Sequence, residues 1–439
     1  MDISGPLFGL NAKINEFSGD QSKYFNLVKR VENLETIDYS SIMNSSAESM
    51  VRLGKSNHYV VLGTEESEGK KSFLHLYESN DQGKLDLKDG LIITKQKYIC
   101  NNLQVFLDSK YYNILALCNI DGLYSRLHIT RINNLTFDTK NASHDELLLE
   151  NKYFKMQGVD FGNGIYALGF NGVGNLFDIH MLELKSEDNV KSSEKQIQLN
   201  YDKVHSFDNV YKSQFLGVSS HIAILVSSDD FEGSMTARYF EKDTNGLKYR
   251  DMVEYKSLDD INFGKIDTLG CFKTHFGLEL NCLSSSQNMM TLPLLSIKLN
   301  KVDQPKSLNK YQFEVSIMNN YGLKLFGDFY PEYMKMNDIF VALVSKYGQG
   351  NTLNSNGNLF SNDKTEKLNK YAVLIYKKND SSQNESYTLH QAIDLPFTTN
   401  YLKEDEVILD SGNQIYVKSN INLNDSISIL ENSYLNIMS

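Results

Sequence analysis

Three histidines fall at the same place in three successive alternating stretches. They are His75 in Phe73-Leu74-His75-Leu76-Tyr77, His128 in Arg126-Leu127-His128-Ile129-Thr130, and His180 in Asp178-Ile179-His180-Met181-Leu182. Imidazole is a common metal ligand, so the set invites a zinc reading. Packed sheets, however, lie about 10 Å apart, while zinc needs nitrogens at about 2.0–2.1 Å. Histidines on three sheets converge only if all point to one axis. Later stretches carry Arg238, Ser296 and Ser428 at or beside that place. Hydrogen bonding between neighbouring sheets is the expectation for these histidines, and no metal, cofactor or catalytic residue is assigned. His58, His221 and His275 recur at the start of another repeated strand, where capping explains the repetition.

The remaining chemistry-bearing patterns are weaker. Asn80-Asp81-Gln82-Gly83-Lys84-Leu85-Asp86 has a few acidic groups but not the oxygen density calcium takes, and reads as a hairpin turn. Gly169-Phe170-Asn171-Gly172-Val173-Gly174-Asn175 is glycine-rich but has no helix after it to hold phosphate, and reads as a hairpin loop. The chain contains no Gly-x-Ser-x-Gly, His-Glu-x-x-His or phosphate-loop sequence. Cys100, Cys118, Cys271 and Cys282 form no Cys-x2-4-Cys pair for zinc. Cys118 and Cys282 follow a repeated apolar strand, and Cys100 and Cys271 lie just before or within the strand that precedes it. That placement predicts Cys100–Cys118 and Cys271–Cys282 bridges, with Cα atoms about 4.4–6.8 Å apart, and an oxidising compartment. Four buried thiols are the alternative. Six Asn-x-Ser/Thr sequons, at Asn44, Asn134, Asn141, Asn379, Asn384 and Asn424, permit glycosylation in a chain this rich in Asn and Ser.

The elements that must position these residues are strands. One apolar strand recurs seven times: Tyr59 to Leu62, Ile114 to Leu117, Ile165 to Leu168, Ile222 to Leu225, Phe276 to Leu278, Phe340 to Leu343 and Ile415 to Val417. The first four copies start 55, 51 and 57 residues apart. Each is followed by a turn and a second strand (the last being Ser426 to Leu430), then a polar turn and a third strand such as Leu247 to Arg250. A strand before each copy, such as Leu103 to Leu107, Lys265 to Phe272 or Leu323 to Phe329, makes a set of four. Helical periodicity is nearly absent. Four short strands repeated at this period resemble a generic β-propeller blade, without Trp-Asp or kelch signatures. The resemblance implies an all-β, seven-bladed β-propeller of four-stranded antiparallel blades.

A closed ring needs its last blade joined to its first. Residues Lys23 to Glu32 are predicted to complete the last blade and remove an exposed edge. Residues 1–21 then form an N-terminal arm and 22–439 one propeller domain. Leu10, Ile14 and Phe17 mark a candidate strand in the arm, packed on its own ring or donated to a neighbouring copy in an open assembly. Tyr330, Tyr333 and Met334 are interface candidates by residue type. The long Asn/Gly/Ser-rich stretch from Lys346 to Lys367 reads as a surface loop.

The net charge of −11 and the lack of a Lys/Arg-rich patch disfavour nucleic acid. No apolar run approaches the roughly 18 residues of a membrane span, and Met1 to Pro6 do not read as a signal peptide. The expectation is a non-enzymatic recognition or assembly module, extracellular or on a surface, binding protein partners or copies of itself through a ring face or the arm. An intracellular, cytoplasmic scaffold is the alternative. A hydrolase with an axial metal would need polar groups that the repeated apolar strands do not supply.

Overall fold

The computed structural model describes twenty-nine strands. Within residues 49–316 it also describes most side chains and many of the joining turns. Blade 1 comprises Ser45–Arg52, His58–Glu65, Lys71–Ser79 and Leu85–Ile92. Blade 2 comprises Ile99–Leu107, Tyr111–Asn119, Ser125–Asn133 and Ser143–Leu148. Blade 3 comprises Tyr153–Asp160, Ile165–Gly172, Leu176–Lys185 and Gln198–Phe207. Blade 4 comprises Lys212–Gly217, Ile222–Ser228, Met235–Asp243 and Gly246–Tyr255. Blade 5 comprises Thr268–Lys273, Glu279–Ser285, Thr291–Lys301 and Tyr311–Lys324. Blade 6 comprises Phe329–Met336, Ile339–Lys346, Asn369–Lys378 and Tyr387–Thr399. Blade 7 comprises Val407–Leu409, Ile415–Asn422, Glu431–Met438 and, from the N-terminus, Glu35–Asp38. The chain is a seven-bladed β-propeller whose last blade is closed by an N-terminal strand.

The closing strand is not the one predicted. Glu35–Asp38 pairs antiparallel with Glu431–Met438, from Glu35 opposite Ile437 to Asp38 opposite Tyr434. Val28–Arg30, inside the predicted Lys23 to Glu32 segment, instead adds a fifth, parallel strand to the outer edge of blade 6, with Val28 opposite Ala392. The N-terminal segment therefore touches two blades in turn, and backbone pairing decides which strand closes the ring. Three further boundaries move. Phe276 to Leu278 precedes the blade 5 strand, which starts at Glu279 beyond a turn with Gly277 at φ 68°. The innermost strand of blade 6 is Phe329–Met336, not Leu323 to Phe329. In blade 7 the third strand is Glu431–Met438; residues 426–430 lie outside the described residues.

The second strands of blades 2, 3 and 4 are buried along nearly their whole length between neighbouring blades, so they read as continuous apolar runs. Ile222–Ser228 is buried at every position, whereas the outer strand Ser143–Leu148 alternates between half-buried and exposed. The core lies between blades. One cluster joins Phe106, Leu115 and Leu127 of blade 2 to Met156, Tyr166 and Phe170 of blade 3, and others join blades 1 and 2, 3 and 4, and 4 and 5. Gly158 permits the closest approach: a Cβ there would collide with the Phe106 ring. No helix among the described residues is long and apolar enough to cross a membrane.

Candidate binding surface

Innermost strands of successive blades lie side by side from blade 1 to blade 6, and amide side chains tie several of them together. Asn102 Oδ1 accepts from Met156 N at 3.2 Å, and Gln104 Nε2 donates to Met156 O at 3.3 Å. Gln157 Nε2 donates to Ser213 O at 3.0 Å, and Gln157 Oε1 accepts from Phe215 N at 2.5 Å. Gln214 Nε2 donates to Leu269 O at 3.2 Å. Blades 2 to 5 are thus pinned in register around the axis by side chains that satisfy the backbone of the next blade.

The ring has a leading face, where innermost strands begin, and a trailing face, where they end. Four innermost strands carry a one-residue bulge in their first half, skipping Glu48, Asn101, Phe154 and Glu332. A bulge re-aims a side chain, and Phe154 stands 54% exposed on the leading face. Four more of the exposed large apolar residues lie on this face of blades 2 and 3: Ile99, Tyr124, Leu148 and Val173. Beside them, a cleft with about 50 Å³ of water-sized space opens between blades 3 and 4. Its walls are Phe154 and Lys155 on one side and Tyr211 and Lys212 on the other. Its floor includes Asn171 and Ser213, which are buried and bonded to each other, Asn171 Nδ2 donating to Ser213 Oγ at 2.9 Å. Lys212 Nζ lies 5.4 Å from the centre of the Tyr211 ring.

Sequence reasoning missed these residues, although a signal existed. Phe154-Lys155-Met156-Gln157 and Tyr211-Lys212-Ser213-Gln214 repeat an aromatic-Lys-x-Gln pattern one blade apart. The Gln reaches the next blade and the aromatic-Lys pair stands at the cleft.

His75, His128 and His180 are buried, and each makes contacts within its own blade. His75 lies against Gly90 of the outer strand of blade 1, and His128 Nε2 is 3.7 Å from Glu146 of the outer strand of blade 2. His180 stacks on Tyr201 of the outer strand of blade 3, and its Nε2 is 3.4 Å from the Tyr153 hydroxyl. Burial pushes all three pKa values down to about 4, so they are neutral at pH 7. No group of three or more metal-ligating side chains occurs among the described residues. His58 stacks on Phe137 at 3.8 Å, and His221 lies in the turn before Ile222 with Nδ1 3.4 Å from Ser219 Oγ; His275 lies outside the described residues.

Close to the leading face, Asp178 of blade 3 is fully buried and accepts from four partners. They are Tyr153 OH at 2.5 Å, Asn151 Nδ2 at 3.1 Å, Lys203 Nζ at 2.8 Å and Ser206 Oγ at 2.6 Å. Burial alone would raise its pKa, but the bonds from Lys203, Ser206, Tyr153 and Asn151 outweigh it and hold the carboxyl below its usual range. The network rivets the inner, third and outer strands of blade 3 together.

Cys100–Cys118 and Cys271–Cys282 are disulfide-bonded, each pair directly opposite across the first two strands of its blade. Their Cα separations, 3.8 and 4.1 Å, fall below the expected range of about 4.4–6.8 Å. Asn134 and Asn141 lie in the trailing-face turn of blade 2, Asn141 exposed; Asn44, Asn379, Asn384 and Asn424 lie outside the described residues, as do Leu10, Ile14 and Phe17. Tyr330, Tyr333 and Met334 belong to the innermost strand of blade 6. The glycine-rich loop is shorter than predicted: Gly169 to Gly172 belong to a strand and only Val173 to Asn175 turn, with Gly174 and Asn175 at positive φ.

No protein-family model matches the chain, and no curated protein matches it. Among solved structures it is similar to the WD40 domain of SCAP from fission yeast, at 8% identity and a TM-score of 0.37, covering 92% of this chain and 98% of that one. It is also similar to a post-proline cleaving enzyme from Rickettsia typhi, at 8% identity and a TM-score of 0.36, covering 86% of this chain. The chain spans half the length of that enzyme, 50%. Likenesses this distant say nothing of activity, and the fold rests on the seven sheets themselves.

Proposed function

We propose that this ring is a non-enzymatic recognition module that binds a protein partner through its leading face. The observation that carries the reading is the gathering of Ile99, Tyr124, Leu148, Phe154 and Val173 on that face of blades 2 and 3. Exposed apolar groups gathered on one rigid surface mark interaction sites, and aromatic residues are favoured in interfaces. Amide ties between innermost strands pre-organise the surface, which lowers the cost of association. The two cystines support an oxidising compartment, the setting of the extracellular reading rather than the cytoplasmic one. Non-reducing mass spectrometry of the protein from its native source should find no free thiol.

The test of the face is partner recovery. Wild type and a Leu135→Ser variant, altered at an exposed residue on the trailing face, should recover the same partner in equal amount. A Leu148→Ser/Val173→Ser variant should lose it. Equal recovery by all three would overturn the reading.

A further inference from the structure

We propose that the cleft between blades 3 and 4 receives a proline from an extended segment of the partner, an inference that rests on the leading face being the binding surface. The floor decides what the occupant must bring. Asn171 Oδ1 accepts from Ser213 Oγ at 3.1 Å and from Gln157 Nε2 at 3.5 Å. The Ser213 carbonyl accepts from Gln157 Nε2 at 3.0 Å, and Ser213 Oγ accepts from Asn171 Nδ2 at 2.9 Å. These acceptors are therefore engaged. A primary amide carries two N–H donors, and Asn171 Nδ2 gives one of them among the described residues. Asn171 is 3% exposed and lines the cleft, where a donor left unmatched is costly. The matching occupant brings a carbonyl oxygen and no N–H. The residue before a proline supplies the carbonyl, and proline itself has no amide hydrogen.

The walls fit the same residue. Phe154 and Tyr211 line the cleft from neighbouring blades, each at the start of the aromatic-Lys-x-Gln pattern. Aromatic side chains line the grooves that take proline-rich segments, whose preformed extended helix loses little entropy on docking. Water-sized space of about 50 Å³, at about 10–15 Å³ for each water-sized group, holds about three to five heavy atoms. That is a pyrrolidine ring and not an indole or a nucleotide base. The aliphatic Leu148 and Val173 stand exposed on the same face and suit apolar residues flanking the proline. An uncharged ring needs no net charge in the cleft, so recognition rests on shape and on one hydrogen bond.

The test uses the full chain and fluorescence anisotropy with a labelled peptide of repeating Leu-Pro-Pro. Its Leu-Ala-Ala counterpart is the other probe. The Leu-Pro-Pro peptide should bind at least about tenfold more tightly than the Leu-Ala-Ala peptide, with little change as salt rises. Phe154→Ala/Tyr211→Ala should abolish that preference, and Phe154→Tyr/Tyr211→Phe should retain it. Asn171→Leu should weaken Leu-Pro-Pro binding about two- to tenfold. Leu135→Ser, at an exposed residue on the trailing face, should leave it unchanged. Near-ultraviolet circular dichroism and thermal melts establish that each variant is folded. Absence of Leu-Pro-Pro binding, equal binding of the two peptides, an unaffected Phe154→Ala/Tyr211→Ala variant, or binding that falls steeply with salt would each overturn the proposal. If Leu148→Ser/Val173→Ser loses the native partner while the wild type shows no preference for Leu-Pro-Pro, the face reading stands and the proline site falls.

Discussion

Blades 2 and 5 are tied covalently, whereas blades 3 and 4 between them are tied by hydrogen bonds. In blade 2 the Cys100–Cys118 cystine joins the first two strands, and Cys118 pairs with Arg126, two residues before His128. In blade 3 the corresponding rung pairs Met156 with Phe170, and Phe170 with Asp178, two residues before His180. A cystine occupies the rung in one blade; an aromatic and a buried carboxylate occupy it in the next. The covalent tie acts within a sheet and largely through the unfolded chain. The Asp178 rivet and the Gln157 bridge act in the folded state, across a sheet and between sheets. The same architecture is therefore held by devices that respond to different conditions: reductant for blades 2 and 5, polar substitution for blades 3 and 4.

Acid should produce the largest effect. His75, His128 and His180 titrate near 4 when folded, against 6.5 for the ordinary side chain. The unfolded chain therefore takes up protons first as pH falls. Their contribution is complete above about pH 6.5 and is lost toward pH 4, by at most about 1.4 kcal/mol per pH unit for each histidine. Urea midpoints at pH 7 and pH 5 measure the loss, and His180→Phe should flatten the slope. A slope unchanged by that substitution would remove the buried histidines as its cause.

Asp178→Ala comes next. It strands Lys203, Tyr153 and Asn151 around a lost carboxylate and should cost about 3–5 kcal/mol. Equilibrium unfolding checks it, and a loss below about 1 kcal/mol would mean that the rivet contributes little beyond what water supplies. Reduction should be milder. The cystines close loops with sequence separations of 18 and 11, and each should contribute about 3 kcal/mol, the blade 2 bridge slightly more. Cys100→Ser/Cys118→Ser and Cys271→Ser/Cys282→Ser, compared by thermal melts, give the order; a larger loss in blade 5 would point to native-state effects instead of loop closure. The smallest effects belong to the amide ties. Gln157→Ala leaves the buried Phe215 N–H without its acceptor and should cost about 1–3 kcal/mol, while Gln214→Ala removes one part-buried bond for about 0.5–1.5 kcal/mol. Equal losses would show that the blade 3–blade 4 junction is no tighter than the blade 4–blade 5 junction.

The repeated apolar strands were legible because burial on both faces leaves a continuous apolar run, as in Ile222 to Val226. The cysteine partners were legible because directly opposed residues keep a fixed relation to the turn between them. The cleft was harder to see. Phe154 looks like any apolar residue of an alternating strand until the bulge at Tyr153/Lys155 turns it outward. Lys155 and Lys212 are far apart in sequence and become neighbours only when two blades pack. The histidine repeat was visible, but a one-dimensional repeat gives position in a strand and not the groups that the ring meets within its blade, such as Tyr201 against His180.

Local pattern thus determined the strands, their grouping in fours, the sevenfold repetition and the two cysteine pairs, because each depends on residues close in sequence and on a period of two. Tertiary structure alone decided which N-terminal strand closes the ring, which face gathers the exposed apolar groups and which lysines share a cleft. Glu35–Asp38 and Val28–Arg30 are both short strands, and nothing in either distinguishes an antiparallel partner in blade 7 from a parallel one in blade 6. That choice is made by which free sheet edge lies within reach once the other blades have packed.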